Sequence, residues 1–212
     1  MDAARSSRVR RVRDPDAGRV SPDQPDRVGI IGLGIMGGAI ARNLLAQGTS
    51  VVGHDLDDDR RMSFAAAGGS LATSPREVAA RADIVLLLLP SAAALTAVTD
   101  GPDGLALAGR PGLVVVEMST LALVDKDRLR ERLEPLGTAV LDCPISGTGV
   151  QAEDGDIVVY ASGDEAAVER SRAILRLASR DVVHVGSFGS GSRMKYLANH
   201  LVAVHVAAAA EV

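Results

Sequence analysis

The chain has 212 residues and a formal net charge of −4, with 47 % hydrophobic but only 2 % aromatic residues and no Trp. The acidic balance argues against a general nucleic-acid partner. The single cysteine, Cys143, excludes an internal disulfide framework and a cysteine-based zinc site, and no apolar run reaches the ~18 residues of a membrane span. The core has to be built from Ala, Val, Leu and Ile, as helix-covered parallel sheets often are, and the lone thiol fits a reducing cytoplasm.

Residues 1–26 are rich in Arg, Asp and Pro and have no apolar period, which predicts a disordered tail. Its acids Asp14, Asp16, Asp23 and Asp26 speak against an arginine-rich transit peptide. From Arg27 short apolar runs alternate with helical stretches. "RVGII" (27–31) reads as a strand and "IMGGAIARNLLAQG" as a helix ending at Gly48. "SVVGH" (50–54), "DIVLLLLP" (83–90), "GLVVVEM" (112–118), "TAVLD" (138–142), "DIVVYAS" (156–162) and "DVVHV" (181–185) read as further strands, with helices at about 121–135 and 164–178. This alternation predicts an α/β fold around a parallel, doubly wound sheet. From Arg193 the chain reads as a helix with no C-cap glycine and no proline before residue 212, a pattern expected of a helix that continues further.

Chemistry is expected first in "GIIGLGIMGGAI". Gly32, Gly34 and Gly37 spell G-x-G-x-x-G directly after a strand and at the start of a helix. The glycines allow a tight turn, close approach of a pyrophosphate and close helix–strand packing, and the helix N-terminus offers free N–H groups to phosphates. The loop residues Leu33, Ile35 and Met36 belong to the same expected cofactor site. Asp55, at the end of the second strand, stands where an acid accepts hydrogen bonds from the ribose hydroxyls. A carboxylate there also repels a 2′-phosphate, so NAD is favoured. Arg60 and Arg61 could hold that phosphate, which keeps NADP possible.

Strand ends carry the other candidates. Pro90 and Ser91 follow one buried strand, and Ser119 and Thr120 follow the next. Each hydroxyl suits either a ligand outside the strand ends or the N-cap of the following helix. "CPISGTG" (143–149) reads as a loop able to turn backbone N–H groups toward an anion. Cys143 reads as a small core residue. His54, His184, His200 and His205 lack ligand spacing, so no metal site is expected. In "GSGSRMKYLANH" (189–200), a glycine-rich loop before the helix, Lys195 and Asn199 are one turn apart and share a face.

"GLGIMGGAIARNLLAQG", "LLLLPS", "EMST", "DCPISG…AEDG" and "GSGSRMKYLAN" occur in the order and approximate spacing of the β-hydroxyacid dehydrogenase family. The chain resembles the N-terminal part of that family, which includes 3-hydroxyisobutyrate dehydrogenase and tartronate semialdehyde reductase and is related to 6-phosphogluconate dehydrogenase. The resemblance covers roughly residues 27–212. It implies a Rossmann-like domain over 27–192, the beginning of a long interdomain helix over 193–212, and a helical C-terminal domain absent from these residues. It also implies hydride exchange between NAD or NADP and a small β-hydroxyacid or its semialdehyde. By the same resemblance Lys195 is the general acid/base and Asn199 orients substrate. Ser119 and Gly147 hold the substrate carboxylate, and Thr120 and the loop from Pro90 lie on the cofactor side. Thr148 departs from the common second glycine of "SGG", and is expected to put a side chain beside the substrate pocket.

Two other readings compete. Imine reductases share the architecture but usually replace the lysine, so Lys195 counts against them. A non-catalytic dinucleotide-binding module fits the missing domain but not the intact Lys195, Asn199 and Ser119. The apolar run "LVAVHVAAAA" predicts self-association, with a homodimer as the expected state.

Overall fold

The computed structural model describes residues 26–211, so the tail expected over 1–26 lies outside the described residues except for Asp26. Asp26 is anchored, its carboxylate 2.7 Å from the Arg170 guanidinium.

The main sheet holds β1 (Val28–Ile31), β2 (Val51–His54), β3 (Ser70–Leu71), β4 (Ile84–Leu87), β5 (Val114–Glu117) and β6 (Ala139–Asp142). All six strands are parallel, in the order β3-β2-β1-β4-β5-β6. This is the order of a Rossmann sheet, with its reversal of winding between β1 and β4. Alternate residues of each strand feed two cores. Val28, Ile30, Ile84, Leu86, Val114 and Val116 face one side, packed with Ile40 and Leu44 of α1 (Ile35–Ala46). Ile31, Val85, Leu87 and Val115 face the other, against α3 (Pro75–Arg81), α4 (Ala92–Asp100) and α5 (Leu123–Leu133). Strands covered on both faces cannot alternate polar with apolar, which is why they read as continuous apolar runs.

Helix α2 (Asp58–Ala66) follows β2, and short turns of 310 helix follow α4 and α5. Three of these helices open on side-chain caps, of which the sequence offered Ser91 as one of two readings. Asp57, Ser74 and Ser91 each accept a backbone N–H in the first turn, from Arg60, Glu77 and Ala94.

The last two expected strands leave the main sheet. β8 (Val158–Ala161) and β9 (Asp181–His184) join β7 (Ile145–Ser146) in a second sheet of order β7-β8-β9. β7 lies in the stretch read as a loop; it pairs antiparallel with β8. α7 (Glu165–Leu177) packs Val168, Ile174 and Leu175 into the core shared with α1. α6 (Gly149–Glu153) opens on a capping box in which the Thr148 hydroxyl accepts the Gln151 N–H and the Gln151 side chain takes the Thr148 N–H. Thr148 and Gln151 therefore spend their side chains on this cap, contrary to the expectation that Thr148 shapes the pocket.

Helix α8 spans Ser190–Ala210, starting three residues before the expected Arg193. Its first turn is the glycine–serine segment read as loop. Gly189, at φ +89°, lets the chain turn into the helix, and Asp142 supplies the anion that satisfies the new N-terminus, with its Oδ2 accepting the Ser192 N–H at 2.8 Å. Beyond Tyr196 the helix exposes Leu197, Leu201, Val202, Val204 and Val206. Among the described residues no helix is long and apolar enough to cross a membrane.

Candidate active site

The site is built at the carboxyl ends of the parallel strands. After β1 the chain turns at Gly32, whose φ of +94° and whose N–H bond to the His54 carbonyl (3.0 Å) fix the loop. A Cβ on Gly32 would lie 2.2 Å from the Leu88 carbonyl oxygen, and one on Gly37 would lie 1.9 Å from that of Gly32. Gly34 differs: the nearest protein atom to its would-be Cβ is Arg60 Nη1, at 3.6 Å. Two glycines are thus required by the fold, while the third keeps an open side toward the cleft. α1 starts immediately afterwards with no side-chain cap and no acid in its first turn. Its leading N–H groups have no intrahelical acceptors, so this end suits the phosphates of a dinucleotide.

Asp55 ends β2 as expected, with its side chain only 9 % exposed. Its carboxylate has a second task. Oδ2 accepts the Leu33 N–H at 2.7 Å and Oδ1 accepts the Asp57 N–H at 2.9 Å, tying β2 to the glycine loop. A carboxylate has about four lone-pair sites, so acceptor capacity is left for ribose hydroxyls. Arg60 is not free: its guanidinium lies 3.6 Å from both Asp55 and Asp57, and Arg61 pairs with Asp58 at 2.8 Å.

A cleft of about 910 Å³ follows these strand ends. Gly32, Gly34, Ile35, Met36, Gly37 and Asp55 line it together with Pro90, Ser119, Thr120, Gly147 and Lys195. Residues from the ends of β1, β2, β4 and β5, from the loop after β7 and from α8 therefore meet in one space. Three expected residues do not. Leu33 is buried and contributes its N–H to Asp55. The Ser91 hydroxyl caps α4, accepting the Ala94 N–H at 3.1 Å. Asn199 is exposed on α8, one turn beyond Lys195 and off the cleft wall.

Ser119 is prepared to donate. Its Oγ accepts the Leu89 N–H at 2.8 Å, so the hydroxyl proton remains for another acceptor. Its own N–H goes to Glu117 Oε1 at 2.9 Å. Gly147, at φ +147°, passes so close to Ile157 that a Cβ would lie 2.6 Å from Ile157 Cγ2. Lys195 is half-buried, and burial lowers its ammonium below the ordinary lysine range. Cys143 is fully buried in the core, where burial pushes its thiol well up.

One constellation escaped the sequence reading. Lys126, on α5, is completely buried with Nζ 2.6 Å from Glu117 Oε2 and 2.8 Å from Asp142 Oδ1. Burial pulls the Lys126 ammonium down, but the two carboxylates outweigh it and hold it above its usual range. Burial pushes the Glu117 carboxyl up against the pull of Lys126. A compositional signal did exist: the 23 basic residues include only two lysines, Lys126 and Lys195. An otherwise all-arginine chain keeps lysine at two places facing this region.

Sheet order, glycine turn, uncapped helix and strand-end acid together define a Rossmann-type dinucleotide-binding domain. Residues 27–186 match the family model described as the NAD binding domain of 6-phosphogluconate dehydrogenase. The chain belongs to this family, within the β-hydroxyacid dehydrogenases. L-Threonate dehydrogenase of Cupriavidus necator is 36 % identical over 185 residues, 87 % of this chain and 62 % of the relative. The crystal structure of 3-hydroxyisobutyrate dehydrogenase from Salmonella typhimurium superposes with a TM-score of 0.78 at 37 % identity, over 87 % of this chain and 65 % of that one. An imine reductase from Myxococcus stipitatus has a TM-score of 0.81 at 20 % identity, covering 89 % of this chain and 64 % of that one, a likeness of fold alone. The chain thus spans about three fifths of the length of the curated relatives it matches.

Proposed function

We propose that the protein is an NAD-dependent oxidoreductase acting on a small β-hydroxyacid or its semialdehyde, with Lys195 as general acid/base. The observation that carries this reading is that Lys195, Ser119 and Gly147 line the same cleft as the glycine loop and Asp55. The glycine turn, the uncapped start of α1 and Asp55 fit the pyrophosphate and adenosine ribose of NAD. The nicotinamide, when bound, supplies the hydride acceptor or donor. Ser119 directs its hydroxyl proton to the substrate carboxylate, with the backbone at Gly147 beside it. Lys195 takes the hydroxyl proton as the alcohol is oxidised and returns it when the aldehyde is reduced. Burial lowers its pKa, which favours the neutral form that it needs as a base. Thr120 and the loop at Pro90 flank the nicotinamide side, and Asn199 orients substrate once the cleft is covered. In this reading residues 27–192 are the cofactor domain and 193–212 begin an interdomain helix. The exposed apolar side of α8 is then covered by further helical residues or by a second copy in a homodimer. A cytoplasmic location fits the unpaired Cys143.

The relatives' names support the substrate class: L-threonate and 3-hydroxyisobutyrate are both small hydroxyacids. The test is titration of NAD and NADP into the protein, followed by panels of small hydroxyacids and of cyclic imines with the full-length protein. Turnover of a hydroxyacid with NAD is expected. Turnover confined to imines would move the chain to the imine reductases, and cofactor binding without any turnover would favour a binding module.

Asp55→Asn tests the cofactor preference. The amide oxygen can still accept the Leu33 N–H, but the charge facing the ribose is gone. Hydrogen bonds to a charged group contribute about 1.5–3 kcal/mol, so NAD affinity should fall about tenfold or more. NADP binding should improve relative to NAD as Arg60 is released from Asp55. A wild-type protein that already binds NADP more tightly would transfer the specificity role to Arg60 or Arg61.

A further inference from the structure

Glu117 and Asp142 end adjacent strands and stand in direct register across β5 and β6. Two acids so placed repel each other unless a cation lies between them, and Lys126 reaches both from α5. Each acid has a further partner. Glu117 Oε1 accepts the N–H of Ser119 (2.9 Å), fixing the loop whose hydroxyl faces the cleft. Asp142 accepts Ser192 through both backbone N–H (2.8 Å) and hydroxyl (2.7 Å), holding the first turn of α8. Ser162 completes that anchor: its hydroxyl donates to the Asp142 carbonyl and accepts the Gly191 N–H at 3.0 Å. The fit is close, since a Cβ on Gly191 would lie 2.4 Å from the Tyr160 carbonyl oxygen. Lys195 follows Ser192 by three residues, about one turn of the same helix.

We propose that the buried Lys126 bridge is a positioning device, which clamps the Ser119 loop to the N-terminus of α8 and so sets Lys195 relative to Ser119. The inference rests on the proposed function, in which Ser119 holds the substrate carboxylate and Lys195 moves its hydroxyl proton. Stability alone does not account for the bridge, because buried ion pairs are commonly replaced by packed apolar side chains at no cost. Direction does. A salt bridge with hydrogen bonds on both flanks admits one relative placement of β5, β6 and α8, whereas an apolar contact would let them slide. The two ends of the clamp are the two groups whose spacing must match one small substrate.

Lys126→Met alone would leave two unpaired buried carboxylates and confuse misfolding with misplacement. The double variant Glu117→Gln/Lys126→Met leaves a single buried carboxylate, Asp142, which keeps its hydrogen bonds from Ser192 and Ser162. The net charge of the cluster stays at −1, an oxygen remains for the Ser119 N–H, and the bridge is gone. In the full-length protein kcat should fall about 10²-fold, the scale of a misplacement of about 1 Å. NAD affinity should fall far less than kcat, because the glycine loop and Asp55 follow β1 and β2, although Thr120 shares its loop with Ser119. Hydrogen exchange of the 212-residue chain should show lost protection at Ser119, Gly191 and Ser192 with β1 and β4 unaffected. A folded double variant with wild-type kcat overturns the clamp, as does a loss of protection spread evenly over the sheet or a parallel loss of NAD affinity. If the wild-type protein turns over no hydroxyacid while exchange changes only at those three sites, the clamp stands and the proposed reaction falls.

Discussion

Replacing Lys195 by Ala should lower turnover by about 10²–10⁴-fold, the usual contribution of a positioned acid or base, while leaving NAD affinity nearly intact. The separation follows from the architecture. Lys195 enters the cleft from α8, whereas the phosphate-binding turn and Asp55 belong to β1 and β2. The pH profile should carry the same signature. As a base Lys195 acts in its neutral form, so hydroxyacid oxidation rises with pH through the lysine pKa. Burial places that limb below the free-lysine value of about 10.4. Aldehyde reduction needs the protonated form and declines across the same limb. Both limbs should vanish in Lys195→Ala. A variant with near wild-type turnover would remove Lys195 from the mechanism.

Gly37→Ala should reduce NAD affinity about tenfold to a hundredfold. The new methyl would sit 1.9 Å from the Gly32 carbonyl oxygen, and that atom is backbone in a turn already pinned to His54. Overpacking of this kind costs about 1–3 kcal/mol, and the only relief is to open the turn that receives the pyrophosphate. Gly34→Ala separates the two kinds of glycine. No protein atom lies within 3.6 Å of its Cβ position, so melting temperature should hold while NAD binding is lost. Calorimetric titration alongside thermal unfolding measures both. Unaltered NAD affinity in Gly34→Ala would mean that no phosphate approaches that backbone.

The parts of the site legible in the sequence were those written locally. The glycine spacing, Asp55 after a strand and the strand-end Ser119 each occupy a few consecutive residues, and all reach the cleft wall. What escaped depends on tertiary adjacency. The cation that joins Glu117 to Asp142 lies on α5, and the shared site becomes visible only once β5 and β6 are neighbours. The start of α8 was misplaced for the same reason. Glycine and serine are poor helix formers, and the anion that offsets this, Asp142, is 50 residues from Ser192 in the chain. Local chemistry also overruled position. Ser91 and Thr148 lie beside the expected binding loops, yet the shortest route to satisfying a helix N-terminus claims both side chains. The second sheet went unseen because β8 and β9 share the composition of the main strands and differ only in whom they pair with.

The scarcity of lysine gives the protein a built-in reporter. Lys126 is sealed from solvent and Lys195 is the one other lysine in the sequence. Within these 212 residues an amine-directed label under native conditions therefore meets a single accessible lysine, and that lysine lines the cleft. Isotope-marked methyl groups placed this way would give one resonance from the cleft, with no need to engineer a probe. Unfolding would double the count by releasing Lys126, so the same chemistry registers both occupancy of the cleft and integrity of the core.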